Sequence, residues 1–152
     1  VAYDEAGLLG GGRLVEMEYQ KRFDTHGMTQ RPDILVHSPR TDESAPAVKR
    51  GNLAVYALKK HATTEDSHDD HRKLQEIVAE LRYQVGFFVN IAGTRASLGV
   101  WKHLVSSNIQ AFGTRLVGEE VEIDHWWYDR SKAIARFETL GPLDSTQSLS
   151  RP

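Results

Sequence analysis

Two short segments carry the residue types that could do chemistry. Arg31-Pro32-Asp33-Ile34-Leu35-Val36-His37 precedes a polar stretch, and Asn52-Leu53-Ala54-Val55-Tyr56-Ala57-Leu58-Lys59-Lys60 follows it. Each reads as a strand with a charged group at one end. An aspartate on one strand and a lysine on the next are two of three groups used in metal-dependent phosphodiester cleavage. Two carboxylates would hold magnesium, which prefers hard oxygen ligands and keeps several waters. The metal polarises the phosphoryl group and lowers the pKa of its water. The lysine would orient or activate that water and offset phosphate charge. The third group, an acid two residues before the lysine, falls at position 57, and position 57 is alanine.

Strand geometry gives this spacing its meaning. Residues two apart on a strand share a face, so positions 57 and 59 point the same way. If the strand at 33–37 pairs with the one at 53–59, Asp33 approaches both. A metal role for Asp33 competes with an ordinary strand-start role after proline. For Lys59 and Lys60 the competing reading is a solvated strand end.

The elements that must position these groups follow from patterning. Residues 14–20 alternate, with Val15, Met17 and Tyr19 on one face and Glu16 and Glu18 on the other, which predicts a half-buried strand. Pro32 suits only the start of the next strand. Residues 40–51 read as a long polar loop. Ser67-His68-Asp69-Asp70 reads as a helix start, followed by Leu74, Ile77, Val78 and Leu81 at helical spacing. Val85 to Ile91 is nearly continuous apolar sequence and predicts a buried strand. Strand, helix and strand in that order predict a right-handed crossover with parallel pairing. Ser97–Val105 is expected to be a helix, Glu120–Tyr128 a strand, and Ser131–Phe137 a short helix. Residues 1–140 read as a single domain and 141–152 as a flexible tail.

These segments resemble the PD-(D/E)XK nuclease superfamily of restriction-endonuclease-like fold. Pro32-Asp33 matches the first half of its motif, and Ala57-Leu58-Lys59 matches the second half without the acid. The resemblance extends over roughly residues 14–91. It takes in Glu18-Tyr19, Arg31 to His37, Asn52-Leu53, Lys59-Lys60, Asp70-His71-Arg72-Lys73-Leu74 and Tyr83 to Val89, with an echo at Trp127-Tyr128-Asp129-Arg130. Small members of that superfamily carry a similar run. The resemblance implies an α/β fold with a central four- or five-stranded mixed sheet flanked by helices. It also implies magnesium-dependent cleavage of DNA or other nucleic acid, and dimerisation. Asp33 and Lys59 would be catalytic, Asp33 and Glu18 would hold the metal, and Lys60 and Lys73 would face nucleic acid. The helix that usually precedes the first strand of that fold is mostly absent before residue 13.

Ala57 leaves three explanations open. The chain could bind nucleic acid or a protein without cutting. The alanine could be a substitution within an active lineage. Or the acid could come from elsewhere, with Glu18 the first candidate because it shares the polar face of the neighbouring strand.

Composition narrows the field less. The 152 residues suffice for one domain with a sizeable core. With no cysteine, disulfides and thiolate metal sites are excluded, which suits a reducing cytoplasm. No apolar run approaches a bilayer span. The chain opens on Val1, as a fragment or processed product does. A net charge of −2 gives no global attraction to phosphate, though Lys21-Arg22, Lys49-Arg50 and Lys59-Lys60-His61 are local basic clusters. His68 and His71 are three apart, not the four expected of a helical zinc pair. Gly10-Gly11-Gly12 lacks the Gly-Lys-Ser/Thr of a phosphate loop. Trp101, Trp126 and Trp127 could stack on bases, with core packing expected of at least two.

Overall fold

The computed structural model of the chain describes residues 14–17, 32–37, 51–93 and 108–141. These form a mixed sheet of seven strands in simple chain order, with one helix among the described residues. The strands are β1 (Leu14–Met17), β2 (Ile34–His37), β3 (Asn52–Lys60), β4 (Val85–Ile91), β5 (Ile109–Val117), β6 (Glu120–Asp129) and β7 (Ile134–Leu140). The helix α1 (Thr64–Glu80) connects β3 to β4. Pairing is antiparallel through β1, β2 and β3, parallel from β3 to β4 and from β4 to β5, then antiparallel through β6 and β7.

The sheet is larger than the four or five strands expected. β5 extends it because Ile109, Ala111 and Gly113 alternate with Gln110, Phe112 and Thr114, and all three of the inward set are buried. β5 and β6 meet in a two-residue hairpin. Gly118, at φ 65°, supplies the left-handed conformation that such a turn needs. The helix expected over Ser131–Phe137 is instead a turn followed by β7. Asp129 caps that turn by accepting from the Ser131 amide at 3.0 Å and hydroxyl at 2.6 Å. Those bonds hold the Asp129 carboxyl below its usual pKa. Every residue of β7 then pairs with β6.

The start of α1 lies one turn earlier than Ser67. Thr63 is the N-cap and forms a capping box with Asp66: the Asp66 amide donates to Thr63 Oγ1, and the Thr63 amide donates to Asp66 Oδ2. These bonds lower the Asp66 pKa, the backbone bond most strongly. Ser67, Asp70, Leu74 and Ile77 are consequently the buried stripe of the helix, at alternating spacings of three and four. The stripe lies against β3 and β4 and closes over Leu35, Val55, Phe88, Ile109, Ala111 and Trp126. Gly86 allows this approach: a Cβ there would stand 3.1 Å from Val78 and 3.3 Å from Ile109. Asn90, fully buried, ties the turn before the helix to β4, accepting from the Ala62 amide at 2.9 Å and donating to its carbonyl at 3.3 Å.

The opposite sheet face carries a row of rings. Tyr56 stacks on Phe87 at 4.8 Å, Phe112 on His125 at 4.3 Å, and His125 on Trp127 at 4.7 Å. Trp126 points the other way into the core, as expected of a packing tryptophan, and Trp127 is half-buried in the ring row. The helix expected over Ser97–Val105, Trp101, Gly10-Gly11-Gly12, Lys21-Arg22, Lys49-Arg50 and the tail from residue 142 lie outside the described residues.

Candidate active site

Asp33 sits one residue before β2 and is held by β3 on both sides of position 57. Its amide donates to the Tyr56 carbonyl at 3.1 Å, and its Oδ2 accepts from the Leu58 amide at 2.6 Å. One aspartate thus grips the backbone that flanks Ala57. Among the described residues no hydrogen bond reaches the other carboxylate oxygen, Oδ1, which has lone pairs for a further partner.

On β3, Val55 is fully buried, Ala57 packs against the core, and Lys59 continues the same face at the end of the strand. Its ammonium reaches over to α1, where Asp70 Oδ2 lies 3.7 Å away. Lys73 approaches the other oxygen of the same carboxylate at 3.4 Å. The Asp70 side chain is only 7% exposed, against 43% for Lys59 and 35% for Lys73. A buried carboxylate is therefore balanced by two partly solvated ammonium groups, the arrangement that offsets its desolvation. Asp70 Oδ2 accepts no hydrogen bond among the described residues.

The expected pair therefore shares one neighbourhood: Asp33 grips the backbone flanking Ala57, and Lys59 lies two residues along the same strand. Lys60 is exposed on the next position of β3. Lys73, expected to face nucleic acid, is ion-paired with Asp70. Glu18, the expected substitute acid, lies outside the described residues. Asp70 is the residue that patterning missed. Its signal was present in the spacing: position 70 lies four residues before Leu74 and seven before Ile77, on the same face of the helix.

Magnesium fits this site in part. It is commonly held by one or two carboxylates, with waters and phosphate oxygens completing the shell. Asp33 Oδ1 and the non-hydrogen-bonded Asp70 Oδ2 are the oxygens that could serve. No group of three or more His, Cys, Asp or Glu side chains capable of holding a metal occurs among the described residues.

His71, beside Asp70 on α1, is half-buried, and desolvation followed by the nearby His68 lowers its pKa from 6.5 to about 4. The fold thus holds the neutral imidazole, whereas the unfolded chain takes up a proton near pH 6.5. Its contribution is complete above pH 6.5 and is lost as pH falls toward 4. With partial solvent screening we expect a loss of roughly 1–2 kcal/mol over that interval. Urea midpoints at pH 7 and pH 4 for the unmodified chain and His71→Gln check this: the variant should lose less. An equal loss in both proteins would show that His71 does not titrate as described. The low-pKa carboxyls Asp66 and Asp129 act in a more acidic window, losing their contribution only as pH falls through and below about 3.8.

No family model, curated protein or solved structure matches the chain. Among the described residues no helix is long and apolar enough to cross a membrane.

Proposed function

We propose that this chain is a PD-(D/E)XK-like domain of restriction-endonuclease-like type, with a phosphodiester-cleaving site left incomplete by Ala57. Its substrate class is DNA. The observation that carries this reading is the grip of Asp33 on the Tyr56 carbonyl and Leu58 amide, with Lys59 on the face of position 57. Asp33 would be the retained magnesium ligand. Among the described residues, Asp70 is the acid proposed for the second ligand, because its carboxylate lies beside Lys59. Magnesium, when bound, supplies phosphoryl polarisation and a more acidic water. Lys59 orients that water and offsets charge on the phosphate, while Lys60 contacts the nucleic-acid backbone.

Hydrolysis in the unmodified chain is expected to be slow, because Asp70 must loosen its ion pairs with Lys59 and Lys73 to meet a cation. The same ion pairs favour a second reading, a non-catalytic nucleic-acid- or protein-binding module that keeps the fold. Nicking of supercoiled plasmid with magnesium or manganese separates the two. Slow nicking that drops to background in Asp33→Asn and Lys59→Met supports the incomplete nuclease. Salt-sensitive DNA binding without nicking, weakened by Lys59→Ala, supports the binding module. Neither nicking nor binding, in folded protein, overturns both.

A further inference from the structure

Asp70 on α1 is flanked by two cations, and neither makes a short bond to it. Lys73, three residues along the helix, donates to its Oδ1 at 3.4 Å, and the Lys59 ammonium stands 3.7 Å from its Oδ2. Charge-assisted bonds to a carboxylate ordinarily close to about 2.7–2.9 Å. With only 7% of its side chain exposed, Asp70 gains little from water either. Its charge is therefore compensated at a distance, and its buried Oδ2 accepts no hydrogen bond among the described residues.

One acid between two ammonium groups leaves a local excess of one positive charge. A divalent cation approaching Asp70 meets repulsion from both. The two are not equivalent. Lys73 makes the shorter contact and the hydrogen bond, and it is the less exposed, at 35% against 43%. It also shares one helix with Asp70, whereas Lys59 arrives from β3 and its contact lacks a hydrogen bond. Lys73 is thus the cation that a metal ion has to displace.

We propose that the Lys73 ammonium is the resident cation of Asp70, held in place of a divalent metal ion, and that this ion pair and the metal exclude one another. Lys73 is then a built-in competitor that sets how much magnesium or manganese the site takes up. The proposal rests on the reading of Asp70 as a metal ligand. It departs from the role expected of Lys73, because in the metal-free chain this side chain serves the acid and not a nucleic acid. Removing Lys73 has two opposed effects. Without metal, Asp70 loses part of its compensation and the fold loses stability. With metal, the competitor is gone and affinity rises. A lysine that only buttressed the helix would give the first effect without the second.

Manganese, which carboxylates hold as they hold magnesium, is the probe. The paramagnetic resonance of free manganese, followed through a titration of the full chain without nucleic acid, reads the affinity. Thermal melts in EDTA and in manganese read the stability. Lys73→Met should bind manganese about tenfold more tightly than the unmodified chain. It should melt lower in EDTA and gain more from manganese. Lys73→Gln keeps a donor without the charge and should show the same tightening, which serves if circular dichroism finds Lys73→Met unfolded. Arg72→Met removes one positive charge from the adjacent position of α1, where the partners are Asp69 and Glu76, and should leave the affinity within about twofold. Adding Asp70→Asn to Lys73→Met should cancel the gain. Equal tightening in Lys73→Met and Arg72→Met overturns the proposal, because loss of charge anywhere on the helix then accounts for it. So does a folded Lys73 variant that binds no tighter than the unmodified chain, or a gain that survives Asp70→Asn. These three outcomes do not involve nicking and leave the nuclease reading to the plasmid test. Manganese uptake absent from every protein, Ala57→Glu included, removes the metal site itself and overturns both.

Discussion

Replacing Ala57 with glutamate is expected to raise magnesium-dependent nicking of plasmid DNA by about a thousandfold over the unmodified chain. The size follows from what is missing. Metal stabilisation of transition-state charge is worth several kcal/mol, and ~4 kcal/mol at ~1.4 kcal/mol per decade is three decades of rate. The place follows from the backbone. Asp33 is bound on either side of residue 57, so a carboxylate there projects beside the aspartate and on the face of Lys59. Ala57 packs against the core, and a glutamate at that point buries charge. Without metal the variant should lose about 1–3 kcal/mol of stability. Magnesium should recover part of that loss, since a ligand that binds only the folded state stabilises it. Ala57→Gln has nearly the same volume without the charge and should gain no cleavage. Adding Asp33→Asn to Ala57→Glu should remove the gain. If Ala57→Glu folds but cuts no faster than Ala57→Gln, position 57 is not where the second acid belongs and the nuclease reading fails.

The parts of this site that patterning located are those on regular strands. Asp33 and Lys59 stand at ends of segments whose β-branched and aromatic residues announce β structure, and their register follows once β2 pairs with β3. Asp70 was hidden because two plausible caps overlap. Ser67-His68-Asp69-Asp70 offers a cap and early acids, yet Thr63 and Asp66 satisfy each other and start the helix first. Asp70 lies four residues before Leu74 on the buried stripe, which makes it the partner of Lys59 and not a solvated first-turn acid. β5 escaped for another reason. Its inward positions include Ala111 and Gly113, too small to make an apolar alternation stand out, and Phe112 belongs to the opposite face. β7 was ambiguous because Ile134 and Phe137 are three apart, a spacing that suits a helix as well as chance on a strand. Pairing with β6, a tertiary fact, decides it. Glu120–Tyr128, by contrast, opens on a strict alternation from Glu120 to Asp124 and forms β6 nearly to the residue.

Arg115→Met is expected to cost the domain about 3–5 kcal/mol. Arg115 on β5 donates to Asp124 and to Glu122 of β6. Asp124 is only 2% exposed and also accepts from the Thr139 hydroxyl of β7 at 2.8 Å. One guanidinium and one carboxylate therefore join three adjacent strands. Gly113 stands opposite Asp124 in register and presents no side chain to crowd the arginine. Methionine keeps much of the length of arginine but removes the cation that Asp124 and Glu122 share. For a chain of this size the loss corresponds to a fall in Tm of about 10 °C. Thermal melts with Arg115→Met, Asp124→Leu and the double variant measure the coupling directly. The double variant should be markedly more stable than the sum of the two single losses predicts, since it leaves neither charge of the buried pair behind, and Glu122, which also loses Arg115, is partly exposed to water. Additive losses, or an Arg115→Met cost below about 1 kcal/mol, would place this pair with ordinary surface ion pairs.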